Sequence, residues 1–386
     1  MKTGWQRKKL ADVLKIQNGY AFDSKNFNSS KGMPLVRIRS LKLGIEAETF
    51  FDGPYDDKYV VKAGDLLIGM DGEFGCYEWK GEPSLLNQRV CRLQDFTGQL
   101  IPKFLFYGVN DYLKAIEDVT GFTTVKHLSS KQILDIDFPV PPLPEQHRIV
   151  AILDEAFDGI ATARANAEKN LHNARALFES HLQSVFTQRG EGWIERSIGD
   201  ICTLKSGTSV GVSLEKAKGE IPYVKVSDMT YAGNETEIVS SSRFLDMADV
   251  GKNAVFPAGT TIFPKRGGAI LTNKKRLTAL PICADLNIMG VIPSGNLHPR
   301  LLYYYFLNVD MRLIGSGSSI PQINNYDIAP LKISFPETQD EQEAILQILD
   351  NLSAETQRLE SLYQRKLAAL DALKQSLLHQ AFSGAL

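Results

Sequence analysis

Neighbouring cysteines are missing from this chain. Its 386 residues hold four, Cys76, Cys91, Cys202 and Cys283, and no two make a C-x-x-C couple. That excludes the common zinc and dithiol motifs and fits a reducing compartment. Also missing is any apolar run near the roughly 18 residues that a membrane span needs. The opening MKTGWQRKKL has no signal-peptide core, so a cytoplasmic chain without a membrane partner is expected. Phosphate-cradling G-x-x-x-x-G-K-[ST] and metal-binding H-E-x-x-H are absent. GSGSS at 315–319 lacks a following lysine, and no D/N-P-P-Y/F of an adenine methyltransferase occurs. DEAF at 154–157 falls inside an amphipathic helical pattern, where its acids read as surface charges. No catalytic residue and no metal ligand is assigned in this chain.

A large excess of charge of either sign is missing too. The formal net charge is −2, too even for a chain that grips phosphate by charge alone. The sum hides a division: residues 1–144 and 193–338 carry net +1 and +2, residues 145–192 and 339–386 net −2 and −3. What the chain does have is length for two or more domains and, at 43% hydrophobic and 23% charged residues, the composition of a globular protein.

It also has itself twice. GWQRKKLADVLKIQNG (4–19) matches GWIERSIGDICTLKSG (192–207), and MPLVRIRSLK (33–42) matches IPYVKVSDMT (221–230), both at an offset of 188. Farther on, Ala63-Gly64-Asp65 falls on Ala258-Gly259-Thr260 and Pro102-Lys103 on Pro299-Arg300; Glu145-Gln146 falls on Glu341-Gln342 at 196. A period this long marks duplicated domains rather than a solenoid, with insertions in the second copy's loops. Each half mixes β-branched runs (PLVRI, GDLLIGM, NQRVCRL) with glycine-rich turns and a helix, at 102–116 and 299–314. The reading is α+β with a curled, mostly antiparallel sheet.

Two long helices are the stronger signal. In the first, Ile149, Leu153, Ala156, Ile160, Ala163, Ala167, Leu171, Ala174, Phe178, Leu182 and Val185 hold one apolar face. In the second the face runs Ile345, Leu349, Leu352, Thr356, Leu359, Tyr363, Leu367, Leu370, Leu373, Leu377, Ala381, broken only by Thr356. Spacing near 3.6 predicts slight supercoiling over about 42 residues, roughly 63 Å. Pro141, Pro142 and Pro144 hold an extended lead-in to a start at Glu145; Thr338 with Glu341 makes a capping box in the second copy. Gly190, Gly192 and Gly384 mark the ends. The predicted division is 1–144, 145–190, 191–338 and 339–386. Each stripe can pack on its own globular half. It can also face the other stripe as a pseudo-twofold antiparallel coiled coil, which the duplication favours.

With PLPEQ at 142–146, Ile149, the second Glu341-Gln342, and the GDLLI, NQRV, PLVRI and PYVKV segments in place, the chain resembles, over essentially its whole length, the specificity subunit of type I restriction–modification enzymes. The resemblance implies two target-recognition domains, each reading one half of a split double-stranded DNA sequence. It implies helices that act as a ruler and dock two adenine methyltransferase subunits, through which restriction (translocase) subunits join. S-adenosylmethionine, ATP and Mg are then expected on those partners, with no cofactor here. A basic partner would supply part of the grip on DNA. The second lead-in departs slightly, with FPETQDEQ for FPVPPLPEQ.

Halves that share a frame and read different bases should agree where they hold the fold and differ where they read. Shared basic positions, Arg37/Lys225 and Lys103/Arg300, suit phosphate contacts. The unmatched polar side chains are candidate readers: Arg39, Lys42, Asp71, Glu73, Arg89, Thr124, Lys126 and His127 in the first half, and Ser227, Asp228, Lys265, Arg266, Lys274, Lys275, Arg276, Gln322, Asn324 and Asn325 in the second. The same residues can equally be surface ion pairs or solvated loop, and Tyr303, Tyr304 and Tyr305 suit a core behind a helix. A stand-alone DNA-binding scaffold or regulator, and an enzyme with its own site, remain as other readings.

Overall fold

The computed structural model describes residues 4–43, 48–120, 126–188, 190, 192–314 and 321–386. The chain divides into two compact units, Met1–Ala167 with Arg365–Leu386, and Glu168–Gln364. Helix α2 (Leu143–Thr187) begins in the first unit and ends in the second; helix α4 (Gln339–Ser383) begins in the second and ends in the first. Packing therefore divides each long helix between the two units.

In the first unit the central strand is Val90–Gln94, antiparallel to Lys15–Asn18 on one side and to Leu66–Gly69 on the other, with Gly75–Glu78 beyond. A second sheet contains a parallel pair, Met33–Val36 with Ser84–Leu86, and Gln6–Lys9 closes on Asp137–Val140. Three sheets thus replace the single curled sheet expected. The β-branched runs form these strands because both faces are covered: Leu66, Leu67, Ile68, Val90 and Cys91 are all buried. Helix α1 (Pro102–Val119) lies over them through Phe104, Leu105, Val109 and Leu113.

The ends of both long helices complete this core. Ile149 and Leu153 of α2 and Ala381 of α4 share it, with Phe382 5.0 Å from Phe104 ring to ring. Gly108 makes room there: a Cβ on it would meet the Phe382 ring at 2.3 Å.

The second unit repeats the plan. Ile288–Pro293 lies between Cys202–Ser206 and Thr261–Pro264, Ile221–Val224 runs parallel to Ile282–Ala284, and Trp193–Ser197 closes on Lys332–Pro336. Helix α3 (Pro299–Asn308) ends earlier than expected, before a short turn at Met311–Leu313. Its Tyr303, Tyr304 and Tyr305 are buried as core, against Phe178 and Phe186 of α2. Leu182 of α2 and Leu346 and Leu349 of α4 join them.

Both accounts of the apolar stripes therefore hold together. Within each unit the start of one long helix and the end of the other run antiparallel and pack on the same globular half. Arg164 pairs with Asp371 in the first unit and Arg175 with Glu360 in the second. Ile149, Leu153, Ile160, Leu182 and Leu349 are buried; Leu171, Phe178, Ile345, Leu352, Leu359, Tyr363, Leu367, Leu370 and Leu377 are half-buried. Two details differ from expectation. Thr356, the supposed break, is buried, while Leu373 is 48% exposed. Of the buried positions of α2, Gln146, Leu153, Ile160, Ala167 and Ala174 recur every seven residues, the spacing of a coiled-coil seam, with Ile149 and Leu182 buried beside them. Helix α2 starts two residues before Glu145, with Pro144 in its first turn where a missing N–H costs nothing.

Candidate nucleic-acid interface

Several charges that suggested DNA contact turn inward. Lys103, on the first turn of α1, lies 2.8 Å from Asp154 of α2, and Tyr107 one turn later donates its hydroxyl to the same carboxylate. In the second unit Arg300 Nε donates to Asp350 at 2.8 Å and Tyr304 OH donates to it at 2.5 Å. Burial and the neighbouring carboxylate push both tyrosine pKa values up. The basic pair expected on phosphate is thus ion-paired between a globular half and a long helix, with Lys103 still 48% and Arg300 38% exposed. Asp154 is more than the plain surface charge expected.

Other candidates are likewise engaged. Asp228 is 2% exposed and caps its own turn, accepting from Lys225 N at 2.7 Å. Lys225 donates to Glu215 at 2.6 Å, and Arg243 joins the network at 3.2 Å. Lys265 is buried and donates to Ser206 Oγ at 2.7 Å. Lys275, 2% exposed, donates to Asn273 Oδ1 and Val309 O, and burial lowers its pKa to about 8. Arg276 binds the carbonyls of Met229, Asn234 and Lys275. Lys126 donates to Glu117 O at 2.9 Å, at the end of α1. Such groups hold loops in place, because a buried cation must find acceptors. The sequence cannot distinguish them from free ones, since their partners lie tens of residues away.

What stays outward is narrower. In the first unit Arg37, Arg39 and Arg89 converge on a cleft of about 730 Å³ that Asn87, Gln88 and the Phe22 and Phe27 rings also line. Arg39 reaches Glu48 at 3.6 Å, both largely exposed, a pair too loose to hold it. Arg89 Nη1 donates to Asp71 Oδ2 at 2.7 Å, and His127 Nδ1 lies 2.7 Å from Asp71 Oδ1. Glu73 stands in the turn following Asp71 and is exposed. Thr124 lies outside the described residues; Lys42 falls on the short helix Ile38–Leu43, its side chain outside them.

In the second unit Ser227, Arg266 and Asn325 are exposed, Lys274 half-buried, and Gln322 donates to Asn324 Oδ1 at 2.6 Å. Asn324 also caps the helix at Asn325–Ile328, as Ser129 caps the one at Ser130–Leu134. Gly19 and Gly207 bring their strands against the neighbouring loop: a Cβ would meet Asn87 O at 2.0 Å and Asp285 O at 2.1 Å, so neither tolerates a side chain.

Sequence reasoning missed Gln146 and Gln342 as structural keys, Tyr107 and Tyr304 as partners of the long-helix carboxylates, and Asn287, a half-buried amide beside Asp285. Identity at a constant offset had already marked the two glutamines, without saying why.

This geometry has known counterparts. The profile described as type I restriction modification DNA specificity domain matches the chain twice, over residues 2–170 and 190–367. The chain is 27% identical over 425 residues to the type I restriction enzyme EcoBI specificity subunit of Escherichia coli, covering 99% of this chain and 86% of that protein. Its fold is similar to that of a chain solved in a study of complex assembly and conformational transition of the type I R-M system (TM-score 0.76, 19% identity, 100% of this chain and 99% of that one). It is also similar to the HsdS subunit from Thermoanaerobacter tengcongensis (TM-score 0.58, 19% identity, 100% and 98%).

Proposed function

This chain belongs to the type I restriction–modification DNA specificity family, and from that premise we propose that it is the DNA-reading subunit of such a complex, each unit reading one half of a bipartite target. The observation that carries this is one frame built twice with different outward side chains. Both units share the central strand pairing and the same ion pair to a long helix, Lys103–Asp154 in one and Arg300–Asp350 in the other. Their outer side chains differ, with exposed Arg89 and His127 in one and exposed Arg266 beside half-buried Gln322 in the other. A duplicated frame suits two separate half-sites; different faces suit an asymmetric sequence.

The chemistry belongs to partners. Two adenine methyltransferase subunits carrying S-adenosylmethionine dock on the helices, and restriction subunits using ATP and Mg join through them. The small charge balance of this chain means that those partners supply much of the phosphate contact. Among the described residues no helix is long and apolar enough to cross a membrane.

The test is co-expression with an adenine methyltransferase subunit of a type I system from the same host, followed by mapping of methylated adenines across the host genome. The expected motif has two read halves around an unread spacer on the order of six or seven base pairs, matching half-sites about one DNA turn apart. Deleting one heptad from each long helix should shorten that spacer. A continuous motif, or methylation that does not depend on this chain, overturns the reading.

A further inference from the structure

We infer that three equivalent positions on the repeated frame discriminate bases: Asp71, Arg89 and His127 in the first unit, and Arg266, Asn287 and Gln322 in the second. This rests on the reading of the chain as a DNA specificity subunit and goes beyond it by assigning the readers.

Backbone hydrogen bonds establish the equivalence without reference to side chains. Met70 N donates to Arg89 O at 2.9 Å, as Lys265 N donates to Asn287 O at 2.8 Å. Leu128 N donates to Met70 O, as Ile323 N donates to Lys265 O, and Gly72 N donates to Lys126 O, as Gly267 N donates to Pro321 O. Isolated bridges then join Asp71 to His127 and Arg266 to Gln322. The three positions are therefore neighbours by main-chain geometry in each unit, where the central strand and its flanking loops end.

The side chains on that shared geometry are chemically unlike. In the first unit Asp71, 14% exposed, accepts from Arg89 Nη1 and lies beside His127 Nδ1, while the Arg89 and His127 side chains stay about two-thirds exposed. The carboxylate holds the guanidinium by one nitrogen and leaves the rest of the fork free, the arrangement that pairs with guanine O6 and N7. In the second unit Arg266 is exposed and forms no ion pair among the described residues. Asn287 Nδ2 donates to Asp285 Oδ1 at 2.6 Å, which orients the amide and leaves its Oδ1 and second N–H for an adenine edge. Several rival candidates lack one property or the other. Lys265, Lys275, Arg276 and Asp228 are held internally, and Arg37/Lys225 carry the same charge in both units, which cannot tell one half-site from another.

The experiment uses the full chain assembled with its methyltransferase, comparing wild type with R89A, the R89A/H127A pair, N287A and R266A, and with D71N as a variant that keeps the side-chain shape. Complex formation is checked by size exclusion, and methylated adenines are mapped across the genome. R89A should relax one base pair of a single half-site, noncognate methylation rising about tenfold or more relative to cognate, with the other half unchanged. N287A and R266A should relax only the opposite half, and D71N should relax the R89A position partially. An unchanged motif in R89A/H127A and N287A overturns the inference. So does uniform loss of methylation over all sequences from an intact complex, which marks phosphate contacts. If wild type itself shows no bipartite motif, the reading of the chain fails instead.

Discussion

Gln146 Oε1 accepts the backbone N–H of Ile101 at 2.8 Å, tying the first turns of one helix to the residue that caps another. The same amide donates from Nε2 to Gln99 O at 2.7 Å and Pro141 O at 2.8 Å, with the side chain fully buried. Gln342 repeats the set in the second unit, accepting from His298 N at 2.8 Å and donating to Asn296 O and Pro336 O, both at 2.9 Å. A glutamine suits this place because its planar amide offers two N–H donors and one acceptor oxygen, matching the two carbonyls and one N–H it meets. Replacing Gln146 or Gln342 with alanine should destabilise its own unit by about 2–4 kcal/mol, since three buried backbone groups lose their partners. Urea unfolding followed by tryptophan fluorescence checks this, and a loss under 1 kcal/mol counts against the role.

Lys103 and Arg300 separate holding from binding. If they are clamps, K103A and R300A leave the salt dependence of DNA binding by the complex unchanged. Each lost phosphate contact would instead flatten the log–log slope by about 0.9. Stability should fall by about 1 kcal/mol or less, because the pairs are partly exposed. A shallower slope would return them to the DNA surface.

The first unit is completed by residues from the far end of the chain, Ala381 and Phe382. Val185 and Phe186 occupy the corresponding places in the first copy. A fragment of residues 1–190 should therefore dimerise, a second copy's Phe186 filling the place of Phe382, and F186A should leave it monomeric. Light scattering decides; a folded monomeric fragment contradicts the expectation.

Lys275 makes the second unit sensitive to alkaline pH. Burial lowers its pKa from 10.5 to about 8, so between those values the folded state has released a proton that the unfolded chain keeps. Stability contributed by this site rises with pH across that window and is flat below it, where both states are protonated. Relative to K275M, wild type should gain stability as pH rises from 8 to about 10. A difference that does not change with pH would refute the shift.

Much of the architecture could be read locally. Proline before Leu143, the recurring apolar face and the constant offset announced two long helices and a duplication. Thr356 and Leu373 show the limit of that reading: the helical period says which way a residue points, not whether anything covers it. Burial depends on the partner helix, and the partner comes from about 200 residues away.

The candidate interface was less legible. Lys275, Arg276 and Lys126 look as free in the chain as Arg89 and Arg266 do, yet three are held by carbonyls and two point outward. Alone, then, the amino-acid order determined the number of repeats, the place and length of the helices and the turns that need glycine, because backbone preference and hydrophobic period act over short spans. Only the tertiary structure decided which charges are clamps, which are buried and which remain for a ligand, because a charge is neutralised by whatever group folding brings within about 3 Å, and that group is rarely a sequence neighbour.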